Sequence, residues 1–204
     1  MFSTPPEQHD AVPPDIFPPR AAAGYPVPAL TAQQVNDALR HQARLQEITD
    51  LDLLNPDVQA LLQSVSTRAA KELGLPISVV SIVLDEAQHF ASSYGLGGWL
   101  EEAGGTPVEW SFCRFTVASQ EAFVVEDATR HRLVRNNPLV EVDGVRCYAG
   151  IPLISSRGFA LGSLCVLGTD AHSFREEDLT RLRALATEAV ALIESRRPST
   201  KGAR

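Results

Sequence analysis

Two apolar runs, residues 145–154 and 159–167, are separated only by a tight turn that ends on Gly158, and no other feature limits the fold as strongly. Runs of strand length joined so closely read as antiparallel neighbours. Both are apolar enough to be central strands. The stretch before them, from Thr106, is rich in loops and holds most of the polar side chains a site can use.

Other segments read as support for that pair. With 204 residues and 44% hydrophobic content, the chain has room for one domain with a sizeable core and a tail. Residues 1–30 carry three proline pairs and no periodic apolar face, so they read as a disordered or polyproline-like tail, either a solvated leader or a docking segment for an aromatic-lined groove. The domain spans residues 31–197, and residues 198–204 are expected to fray.

Within the domain, Thr31 and Gln34 have capping-box spacing, and Val35, Ala38, Leu39, Leu45 and Ile48 continue at helical intervals, predicting a helix over 32–49. Asn55 followed by Pro56 starts a second helix that ends at Gly74. Residues 77–95 predict a hairpin, and the glycines and acids of 95–105 a mobile lid, with Trp99 packing down onto the domain. Ser111 is expected to cap a short helix through Cys113 to Ser119. A short strand at AFVVED and a polar loop follow, and Ser173 with Glu176 predicts another capping box and a helix ending near Arg196. This order implies the α+β class: an antiparallel sheet with helices on one face, loops and short helices on the other.

The run SFC at residues 111–113, Asp127 with Ala128, NPLV at 137–140, and RCYAGIPL with the later LGSLCVL are similar to the GAF domain family, over roughly residues 32–196. The chain resembles the GAF domains of bacterial histidine kinases and diguanylate cyclases. That resemblance implies a GAF/PAS-like sheet, a ligand pocket on the loop-covered face, and terminal helices on the opposite face that pair in a homodimer.

Candidate site residues gather around the hairpin. Trp110, Phe112 and Tyr148 can wall an apolar cavity with Asp127 and Arg146 at its polar end, or they can fill the core. Alternation sends Val145, Cys147, Ala149, Ile151 and Leu153 to one face and Arg146, Tyr148, Gly150 and Ile154 to the other, the loop side. By resemblance, Arg146 and Tyr148 match the family's RFYAG segment, with Cys147 in place of phenylalanine. Arg146 either binds a carboxylate or phosphate or pairs with Asp127, and the structural pair is the preferred reading. Cys113, in the first turn of a helix beside Arg114, is the main redox candidate, though a buried cysteine is also ordinary core. Cys147 and Cys165 fall within strands and read first as core. His89, His131 and His172 have no metal-ligand spacing, so no metal is expected.

The leading functional expectation is a non-enzymatic, small-molecule-sensing regulatory domain of bacterial signal transduction, acting as a dimer on a separate signalling protein. The alternatives are a thiol-based redox sensor, or an enzyme using Cys113 like the free methionine-(R)-sulfoxide reductases, which are stand-alone GAF domains. Bilin is disfavoured because Cys113 is followed by Arg114 rather than histidine, and cyclic nucleotides because the NKFDE pattern is absent. Haem stays open without a histidine marked for it. A net charge of -7 speaks against nucleic acid or an anionic membrane. With no signal peptide and three cysteines in no disulfide pattern, the expected location is the cytoplasm.

Overall fold

The computed structural model describes Tyr25, residues 27–53 and residues 55–197. Most of the proline-rich stretch and all of residues 198–204 lie outside the described residues, as do the expectations for them.

In chain order the elements are α1 (Ala32–Leu39), α2 (Gln42–Asp50), α3 (Pro56–Leu73), β1 (Ile77–Val83), β2 (Ala87–Tyr94), α4 (Gly98–Ala103), β3 (Gly105–Pro107), α5 (Cys113–Ser119), β4 (Phe123–Val125), α6 (Pro138–Glu141), β5 (Cys147–Ile154), β6 (Ala160–Gly168) and α7 (Glu176–Ser195). The strands form a six-stranded sheet in the order β3-β2-β1-β6-β5-β4, and all neighbouring strands run antiparallel. The hairpin β5–β6 and strand β1 are its centre, as their apolar composition requires.

The α3 boundaries follow from local chemistry. Asn55 Oδ1 accepts the Asp57 N–H at 2.9 Å, Pro56 occupies a first-turn position that lacks an intrahelical partner anyway, and Gly74 closes the helix in the left-handed region at φ 66°. At α7 the expected Ser173–Glu176 box is replaced. Asp178 accepts the backbone N–H of Arg175 at 2.9 Å, and Phe174 and Leu179 are buried in one cluster on either side of the cap.

Residues 32–49 are not one helix. Arg44 is buried, and its guanidinium donates to the carbonyls of Leu39 (2.6 Å), Val83 (2.6 Å) and Ala160 (3.3 Å). Leu39 C=O is thereby taken from the helical ladder, and the chain breaks at Arg40 and His41. The break sends the two pieces to different faces, since α1 packs against α5 on the loop side. This corrects the expectation that all terminal helices share one face.

Two cores result. On the helical face, α3 and α7 cover Val80, Ile82, Cys147, Ala149, Ile151, Leu153, Leu164 and Val166. On the loop face, Val79, Val83, Tyr148 and Cys165 meet α1, α5 and β4. The alternation of β5 holds from Cys147 to Leu153. Val145 lies before the strand and packs with the loop-face cluster, contrary to the predicted side.

Glu47 of α2 is fully buried and ties three segments together. It accepts from Arg157 in the β5–β6 turn and from Arg197 just beyond α7, both at 2.7 Å. Burial pushes its carboxyl up, but the hydrogen bond and charge of Arg197, with Ser155 and Arg157, outweigh this and hold it below its ordinary value. A folded value below the unfolded one adds stability that is complete above the unfolded pKa, about 4.3, and disappears as pH falls through the folded value. In urea unfolding series, the stability difference between the native chain and Glu47→Gln is therefore expected to be constant above about pH 5.5 and to shrink at more acid pH.

Candidate functional site

The loop face is built on a row that crosses three strands, in which Cys165 of β6 stands opposite Val79 of β1 and Gly150 of β5. Gly150 is required here by space, because a Cβ would collide with the Tyr148 hydroxyl and with Ser163 Oγ. The Tyr148 ring, rooted two residues earlier on the same face, reaches across the glycine between Phe112 and Phe123, at centroid distances of 5.3 and 5.9 Å. Its hydroxyl lies 3.3 Å from Cys113 Sγ, 3.3 Å from Thr116 Oγ1 and 3.5 Å from Ser163 Oγ.

Cys113 begins α5, and its sulfur is 3.8 Å from that of Cys165. Cys165 also donates to the Val79 carbonyl at 3.5 Å. Hydrogen bonding with Cys165 brings the Cys113 thiol down to about 7 against the opposing effect of burial, with the hydroxyls of Tyr148, Ser81 and Ser163 adding to it. Cys165 itself is pushed up by sharing that bond and by burial, and Tyr148 by burial first and then by the Cys113 charge. The proton is thus least tightly held at Cys113. Cys147 points into the helical-face core on the other side of the sheet, where burial pushes its thiol up to about 11.

Phe112, Cys113, Tyr148 and Cys165 wall an inner cavity of about 50 Å³, completed by Leu96 and Leu100 of the 95–105 excursion. Gln88 closes it with a buried amide that accepts from the hydroxyls of Ser81 and Ser111. Ser111 is therefore a partner of Gln88 and not the cap of α5, whose N-terminus carries no side-chain cap.

A second space, of about 340 Å³, is lined by Glu109, Trp110, Arg114, Arg132, Leu133 and Asn136. Arg114 Nε is buried and has no hydrogen-bond partner, and burial lowers its pKa in spite of Glu109. Trp99 of α4 meets Trp110 edge-on at 5.9 Å and donates to Asp143 at 2.7 Å, which holds the excursion beside this space.

The six predicted site residues therefore divide. Phe112, Cys113 and Tyr148 come together at the inner cavity, while Trp110 walls the outer one. Asp127 and Arg146 line neither. Asp127 accepts from the backbone N–H and hydroxyl of Thr129, and Arg146 donates to the carbonyls of Val140 and Val145. The expected Asp127–Arg146 pair is corrected, because each has local backbone partners that satisfy it. Ser81, Gln88, Ser163 and Arg132 join these sites without having been candidates from the sequence, where Arg114 stands only as the neighbour of Cys113. Ser81 was within reach of strand alternation, since it shares a face with Val79 and Val83. Among the described residues no group of three or more His, Cys, Asp or Glu is placed to hold a metal ion, and no helix is long and apolar enough to cross a membrane.

Comparison with known proteins follows the same lines. The GAF domain family model matches residues 57–193. A cyclic di-GMP phosphodiesterase of Pseudomonas aeruginosa is 31% identical over 152 residues, which is 74% of this chain and 25% of the relative, so the chain spans about a quarter of that protein's length. Among solved structures, the GAF domain of a phosphoenolpyruvate-protein phosphotransferase from Coxiella burnetii matches with a TM-score of 0.58 at 20% identity, covering 81% of this chain and 96% of that one. A type II free methionine-R-sulfoxide reductase from Thermoplasma acidophilum matches with a TM-score of 0.55 at 11% identity, covering 68% and 93%. At such identities both structures testify to the fold alone. With the family model spanning more than half of its residues and the two-faced antiparallel sheet in agreement, the chain belongs to the GAF domain family.

Proposed function

We propose that this chain is a non-enzymatic sensory domain of a bacterial, cytoplasmic signalling system, and that it holds a small anionic ligand in the outer cleft. The observation that supports this reading is Arg114: a guanidinium whose buried Nε lacks an acceptor, on the wall of a cleft of about 340 Å³. Ligand sites span roughly 300–1,000 Å³, and a carboxylate or phosphate suits a cleft lined by the guanidinium groups of Arg114 and Arg132 against the single carboxylate of Glu109, with the Trp110 ring as an apolar wall. The inner cavity, at about 50 Å³, is too small for a metabolite while Tyr148 stays in place.

The signal passes through the helical face, where α3 and α7 pack together and serve as the surface of a homodimer. Its receiver is a separate signalling protein or an attached output domain. The likeness to one segment of a cyclic di-GMP phosphodiesterase supports an output of that second-messenger class.

Native mass spectrometry of gently purified protein tests the reading. The expected spectrum is a dimer with an added small-molecule mass that is lost on unfolding. Arg114→Met is expected to weaken retention at least about tenfold, since a hydrogen bond to a charged group is worth about 1.5–3 kcal/mol. A bare mass in both proteins, or turnover of free methionine sulfoxide by the isolated chain, would overturn it.

A further inference from the structure

The inner cavity holds two thiols that the ligand reading does not use. The geometry points to a reversible disulfide between Cys113 and Cys165, formed by a small peroxide, as a second and independent input to this domain.

The two sulfurs belong to elements distant in sequence, α5 and β6, yet lie 3.8 Å apart, and both face a cavity of about 50 Å³. A site needs only about 10–15 Å³ to admit a water, so a hydrogen peroxide molecule fits and a tripeptide thiol does not. Burying two thiols with the hydroxyls of Tyr148, Thr116 and Ser163 is a poor way to fill a core, because every polar group removed from water must find a partner. The same arrangement suits a nucleophile. The Tyr148 O–H donates to Cys113 Sγ and steadies its thiolate, while Cys165, whose S–H donates to the Val79 carbonyl, stays protonated as the resolving thiol.

The chemistry balances within this pair. The Cys113 thiolate attacks one peroxide oxygen, the O–O bond breaks, and hydroxide leaves and takes up a proton as water, so that Cys113 becomes a sulfenic acid. The Cys165 sulfur then attacks the sulfenic sulfur, the S–O bond breaks, and the departing hydroxide takes the Cys165 proton as a second water. The two thiols lose two electrons, and the peroxide gains them. A dithiol restores both by exchange. Closing the sulfurs to about 2.05 Å draws the two side chains and the elements that carry them together. Cys165 is fixed on both sides by β1 and β5, so the displacement falls on α5 and is passed to α1, which packs on it.

The test is hydrogen peroxide treatment of the full reduced chain, followed by thiol blocking, unfolding and mass analysis. The expected product is a monomer lighter by two hydrogens, with a linked peptide pair containing Cys113 and Cys165, and reversed by dithiothreitol. Cys147→Ser is expected to behave like the native chain. Cys165→Ser is expected to stop at a Cys113 sulfenic acid that dimedone present during unfolding traps, and Cys113→Ser to give neither the bridge nor the adduct. The titratable groups facing Cys113 are Cys165 and Tyr148, both held protonated, so the native rate is expected to rise with pH about a midpoint near 7. An unchanged mass with three blockable thiols after unfolding overturns the inference, as does a bridge through Cys147 or between chains. These results are independent of whether the outer cleft binds an anion.

Discussion

Arg44→Met is expected to lower the stability of the domain by about 3 kcal/mol, the largest loss foreseen for any single side chain in this fold. Methionine keeps the apolar stem and removes only the guanidinium. Two effects then oppose each other. The native protein is relieved of a buried cation, whose desolvation brings Arg44 down to about 10. It is also left with the carbonyls of Leu39, Val83 and Ala160 stripped of a charged donor. Each buried carbonyl left unpaired costs about 1–3 kcal/mol, so three stranded acceptors outweigh one relieved charge. Urea unfolding followed by circular dichroism, with comparison of slopes as well as midpoints, measures the difference. A loss under about 1 kcal/mol would show that water, and not the guanidinium, satisfies these carbonyls.

That side chain also marks the boundary of what the sequence discloses. The ends of α3 were legible because Asn55, Pro56 and Gly74 act on their immediate neighbours, and the strands of the central hairpin because alternation and turn length are local properties. The break at Arg40 and His41 was not, since its cause joins Arg44 to Val83 and Ala160, 39 and 116 residues away. The site divides in the same way. That Tyr148 and Gly150 face the loops could be read from the period of one strand. The meeting of Cys113 with Cys165, and the failure of Asp127 to meet Arg146, depend on register between elements, which no spacing along the chain records. At α7 the cap falls on Arg175 with Asp178 three residues on, two positions beyond the Ser173–Glu176 spacing.

Gly150→Ala is expected to cost about 2 kcal/mol and to displace the Tyr148 hydroxyl from Cys113, so one methyl group tests both the packing and the chemistry of the inner cavity. The new Cβ has no free direction, as Tyr148 Oη, its Cζ and Ser163 Oγ all crowd the position. Tyr148 cannot swing aside at little cost, because Phe112 and Phe123 hold its ring. Once the hydroxyl moves, the Cys113 thiolate loses a donor, and its pKa rises by about one unit or more if that hydrogen bond carries about 1.5–3 kcal/mol. Tyr148→Phe separates the two effects. It removes the donor and leaves the glycine its space, so it is expected to raise the Cys113 pKa similarly without the overpacking strain. Thiol titration by ultraviolet absorbance and urea unfolding, applied to both variants, read the two quantities apart. Equal Cys113 pKa values in all three proteins would mean that Cys165, Ser81 and Ser163 set the thiolate without Tyr148, whose hydroxyl would then serve packing alone.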